Sequence, residues 1–117
     1  MLATEFVTLA RPDGHVVVER CLVAKRPLRR MRGLLGRRSL PGGEGILLEP
    51  AASIHTFFMR FPIDVVFLDK ERVVVGIARG LRPWRAACRS GAHAALELAS
   101  GESARRQLRI GDRLEAR

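Results

Sequence analysis

A chain of 117 residues has room for one compact domain, and at that size it can bury a core without help from disulfides or metal. Its 47% apolar and 28% charged shares are those of a globular protein, and no run nears the roughly 20 apolar residues that cross a bilayer. The N-terminus has no basic stretch leading into a long apolar one, so no signal peptide is expected and the chain is assigned to the cytoplasm.

The net charge of +9 is unevenly spread. Between Glu19 and Glu44 no acidic residue interrupts Arg20, Lys25 and six further arginines ending at Arg38. Cys21 and Cys88 lack any CxxC or Cys/His ligand spacing, and without secretion they are expected to stay reduced, with Cys21 as a small buried residue.

In chain order, residues 6–9 and 15–24 are β-branched, strand-like runs joined by Arg11, Pro12, Asp13 and Gly14, which is the chemistry of a hairpin turn. Pro27 then suits a first helical turn, and Leu28, Met31, Leu34 and Leu35 recur at helical spacing, so a short helix is expected over 27–36. Residues 40–45 form a glycine-rich loop.

Strands are expected at 45–49, 54–59, 63–69 and 73–78, the middle two flanking Phe61 and Pro62. The continuous apolar runs at 65–68 and 73–75 imply strands covered on both faces. Residues 79–92 read as an irregular connection and 93–99 as a strand. Residues 102–108 then make a second short helix, and Gly111 and Asp112 turn into a last strand at 113–115. The sum is a mainly β protein, a β-sandwich or partly closed barrel with two short helices, in a single domain.

Chemistry concentrates around residues 54–69. An extended 54–59 would put His55, Phe57 and Met59 on one face, with Arg60 and Asp64 bracketing the Phe61–Pro62 junction. The set offers an imidazole, a cation and a carboxylate. Each also has a plain structural use: His55 as a packed core residue, Asp64 as a turn cap paired with Arg60.

The scattered histidines His15, His55 and His93 form no metal motif, and no metal or cofactor is expected. No hydrolase elbow, Walker motif or dinucleotide fingerprint is present. The basic segment carries no aromatic residue, so the stacking that single-strand binders use lacks a platform there, and phosphate-only contact through residues 20–43 is the weakest of the partner readings.

Three blocks together form a familiar pattern. The first is Arg32, Gly33, Leu34, Leu35, Gly36 and Arg37 with Leu40. The second is the run from His55 through Phe57, Met59, Arg60, Phe61, Pro62 and Asp64 to Asp69. The third is Leu96 to Gly101 followed by Gly111 and Asp112. The chain resembles the bacterial and archaeal domain-of-unknown-function family 192, departing mildly at Leu35, where methionine is common, and at Ser100. The resemblance implies a compact β-sandwich-like domain with minor helices and no established activity. Some members look associated with pilus assembly or secretion, and many carry a leader or anchor.

The expected function is therefore a non-enzymatic binding or accessory module. Arg32, Arg37 and Arg60 would engage an anion on a protein partner or a small ligand, with His55, Met59 and Asp64 completing the site. The alternatives are a small enzyme with His55 as general acid or base oriented by Asp64, and the nucleic-acid binder just described.

Overall fold

The computed structural model describes residues 5–24 and 39–117. Two strands, β1 (Glu5–Ala10) and β2 (Val16–Ala24), form the expected hairpin, its register shifting on either side of Leu9. Gly14 closes the turn at φ 94°, a conformation that costs glycine nothing, and Asp13 accepts the His15 N–H at 2.9 Å.

The third strand, β3 (Glu44–Leu48), lies parallel to β2, from Arg20 opposite Glu44 to Ala24 opposite Leu48. Parallel neighbours need a long crossover, and residues 25–43 supply it. The helix expected at 27–36 falls outside the described residues.

Four more pairings complete a seven-stranded sheet. Strands β5 (Ile63–Leu68), β6 (Val74–Leu81) and β8 (Ala94–Ala99) add antiparallel, as does β9 (Glu115–Ala116) on the far side of β1. The order is β6-β5-β8-β3-β2-β1-β9. A separate two-stranded ribbon pairs β4 (Ser53–His55) with β7 (Ala86–Cys88).

The large sheet curls until its two edges meet. Val73 bridges Arg113, the Val74 N–H donates to the Asp112 carbonyl at 2.8 Å, and the Leu114 N–H donates to the Arg72 carbonyl at 3.0 Å. The architecture is thus mainly β, a curled half-barrel. Among the described residues one helix occurs, α1 (Glu102–Arg105), at the site of the second expected helix.

Alternation along β5 and β8 explains why both are largely apolar, with Asp64 and Glu97 as buried exceptions. Val66, Leu68, Leu96 and Leu98 point into the concave core with Leu9 and Leu47. Ile63, Val65, Phe67 and Ala95 pack on the opposite face, which the ribbon and its loops cover through Ile54 and Met59. Central strands buried on both faces have no solvent side, so the regular apolar/polar alternation of a half-exposed strand is missing.

Several expectations are corrected. Strand β6 is an edge strand whose two faces are unequally covered: Val74 is buried in the concave core, while Val75 is only half-buried against the opposite cluster. It also runs on to Leu81, and with β7 it supplies strand in the stretch read as irregular. The last strand begins later than expected, because Arg113 contributes only an isolated bridge. The strand expected over 54–59 stops at His55, and residues 57 and 58 form a turn.

Candidate functional site

The run from Ile54 to Asp69 divides into two environments. Asp64 opens one of them. It is 1% exposed, on the concave side at the start of β5. Its Oδ1 accepts the Gly80 N–H at 2.8 Å. Its Oδ2 accepts the Gly101 N–H at 3.1 Å, the Ser103 N–H at 2.9 Å and the Ser103 hydroxyl at 2.6 Å.

The carboxylate thereby supplies what α1 lacks, because Gly101 at its N-cap (φ 92°) has no side chain to cap with. Arg79 Nη1 adds a bond to the Ser103 hydroxyl at 2.8 Å. Asp64 does cap backbone, but at β6 and α1, not at the Phe61–Pro62 turn.

His55 occupies the other environment. It is exposed at the end of β4, and its Nδ1 accepts the Phe57 N–H at 3.3 Å. Met59 is buried under the ribbon with Ile54, so the two do not share a face. The strand stops because Thr56 is drawn inward. Fully buried, it joins two loops: its hydroxyl donates to the Arg82 carbonyl at 2.6 Å and accepts the Arg85 N–H at 2.9 Å. Its backbone N–H donates to the Arg85 carbonyl at 2.8 Å, and its carbonyl accepts the N–H groups of Trp84 (3.1 Å) and Met59 (3.2 Å).

That junction pushes a row of rings to the surface. Phe57, Phe58 and Trp84 are 40%, 67% and 56% exposed. His55 stacks on Phe57 with centroids 4.7 Å apart and planes at 27°, and Phe57 stacks on Trp84 at 5.7 Å and 25°. Phe58 leans on Trp84 at 4.7 Å and 60°. Phe58 (φ 67°) and Trp84 (φ 63°) are both held in the left-handed region, a strain of about 1–3 kcal/mol each for bulky side chains.

The two chain stretches that carry these rings hold charge of one sign. No acidic residue occurs between Glu49 and Asp64 or between Glu71 and Glu97, the two stretches that build the loops. Arg60, Arg82 and Arg85 are exposed there and form no ion pair among the described residues.

Of the residues expected to form the site, His55 and Arg60 lie on this loop pair, while Met59 and Asp64 are buried beneath the surface. Arg32 and Arg37 lie outside the described residues. Arg20 sets its guanidinium 3.9 Å from the centre of the Phe6 ring. Among the described residues no group of three His, Cys, Asp or Glu side chains is placed to hold a metal ion. No helix among them is long and apolar enough to cross a membrane.

Sequence reasoning missed Thr56, Phe58, Trp84, Arg82 and Arg85. The available signal was the chain's single tryptophan, set between Pro83 and Arg85 in a stretch without acids.

The model of DUF192, described as "Uncharacterized ACR", matches residues 8–116. A UPF0127 protein of Thermococcus sibiricus is 38% identical over 79 residues, covering 64% of this chain and 51% of that protein. A UPF0127 protein of Pyrococcus abyssi is 59% identical over 34 residues, 29% of this chain and 28% of that protein. The matches thus span about half or less of these curated relatives' length.

Among solved structures, a protein of unknown function from Novosphingobium aromaticivorans superposes with a TM-score of 0.80 at 28% identity, covering 96% of this chain and 84% of its own. A protein from Sinorhizobium meliloti, described as a candidate transcription regulator, gives 0.82 at 24% identity over 97% and 94%. At that identity the second likeness carries the fold alone.

Proposed function

The chain belongs to domain-of-unknown-function family 192, and on that premise we propose that it is a non-enzymatic binding module whose working surface is the ring face around Trp84. One observation carries the reading. Three large aromatic side chains stand exposed side by side on loops that hold two of them in left-handed backbone. Leaving such area in water forgoes roughly 25 cal/mol for each Å² that burial would gain, and the backbone strain adds to the cost. A partner that covers the rings offsets both. Trp, Phe and Arg are also residue types that interfaces favour.

An anion-binding role remains part of the proposal, with Arg60, Arg82 and Arg85 as the cations at this face. The enzymatic alternative draws nothing from Asp64, because both carboxylate oxygens are engaged by Gly80, Gly101 and Ser103 and are not available to orient an imidazole.

Titration with small aromatic anions, benzoate and phenyl phosphate, followed by amide chemical shifts, tests the reading. The expected result is movement at residues 55–60 and 82–87, lost in a folded Phe57→Ala, Trp84→Ala double variant. Shifts gathered elsewhere, or none, would overturn it.

A further inference from the structure

Resting on that reading, we infer that the face takes single-stranded nucleic acid, with bases extending the row of rings in which Phe57 already stacks on His55 and Trp84, and phosphates held by Arg60, Arg82 and Arg85. Proteins that bind single strands without sequence preference combine a positive surface that follows the backbone with aromatic rings that accept base faces. Both elements occur together here. His55, Phe57 and Trp84 lie within 27° of parallel from ring to ring, a geometry that a further planar ring extends. The flanking arginines have no acidic partner among the described residues, and the two stretches that build the face contain no acidic residue.

A duplex fits less well, since its base faces are hidden in the stack. The helix α1, of four residues, is also too short to read a major groove. An anionic membrane would match the charges and the exposed rings, but aromatic anchors dip into lipid edge-on or tip-first and gain nothing from a parallel array. An acidic peptide would match the charges and leave the ring faces without a flat partner.

Trp84 is the protein's one tryptophan and there is no tyrosine, so intrinsic fluorescence reports on this face alone. Three probes separate the outcomes: an oligodeoxythymidine of about 12 nucleotides, an inorganic polyphosphate of matched charge, and vesicles of equal parts phosphatidylcholine and phosphatidylglycerol. The inference predicts that the oligonucleotide quenches Trp84 and that log affinity falls with log salt at a slope near −2, about 0.7 for each of three phosphates. Polyphosphate should bind at least tenfold more weakly and leave the emission unchanged.

With a labelled oligonucleotide read by anisotropy, Trp84→Ala should lose about tenfold to a hundredfold in affinity, while Trp84→Phe, which keeps a ring, should lose far less. Equal binding of polyphosphate would reduce the effect to charge and overturn the inference. So would a blue-shifted, brighter emission with vesicles and no response to the oligonucleotide, which would mark a membrane surface. If the small aromatic anions move the loop amides while the oligonucleotide does nothing, the inference fails and the binding reading survives. If neither probe acts at the face, both fail.

Discussion

Asp64 and Trp84 mark two regions built from the same few strands, and they are opposites. Around Asp64 the polar groups are partnered, and the buried carboxylate holds β5, β6 and α1 together through four hydrogen bonds. Around Trp84 the rings are exposed, the backbone is strained, and the neighbouring arginines have no acidic partners among the described residues. Thr56 lies between the two kinds of order: a buried hydrogen-bonding residue whose effect is to present an exposed surface. A family motif can thus contain one residue needed by the fold beside others that the fold tolerates at a cost.

The contrast breaks most visibly at Asp64. Asp64→Ala leaves the buried Ser103 N–H and the part-buried N–H groups of Gly80 and Gly101 without their acceptor and should cost about 3–5 kcal/mol in denaturant unfolding. Ligand response at Trp84 should persist where the variant is still folded. Thr56→Val, nearly the same in shape, should cost about 1–3 kcal/mol. Unlike Asp64→Ala, it should also weaken binding and speed amide hydrogen exchange at Trp84 and Arg85, because the two loops lose their shared anchor.

A smaller effect separates the cysteines. Burial pushes the Cys21 thiol up to about 12, while Cys88 is exposed on the ribbon. A thiol reagent near neutral pH should therefore modify Cys88 promptly and Cys21 only after unfolding. Prompt reaction of both would mean that the sheet opens near β2.

The sheet was largely legible because its signals are local. The turn residues at 11–14 and the apolar run 65–68 within β5 each state their own conformation. The end of β4 does not. Phe57 and Phe58 are good strand formers, so alternation carried the strand on to Met59. What stops it is the set of bonds from the Thr56 hydroxyl to residues 26 and 29 positions away, which no periodicity within the run reveals. The same distance hid the site, since Trp84 joins Phe57 only once those loops are tied. Asp64 reads from the sequence as a cap, but its partners lie 16 to 39 residues away, beyond the reach of any local pattern.

The central claim is that the ring face serves a ligand and not the fold, and Phe58→Gly tests it most directly. Glycine relieves the left-handed strain at φ 67° while the variant gives up an exposed ring and its tilted contact with Trp84. These effects oppose each other, so equilibrium unfolding in urea should show stability within about 1 kcal/mol of the parent protein, with binding at the face reduced. A loss of more than about 2 kcal/mol would show that Phe58 is held in place as part of the core's support, and would contradict the account.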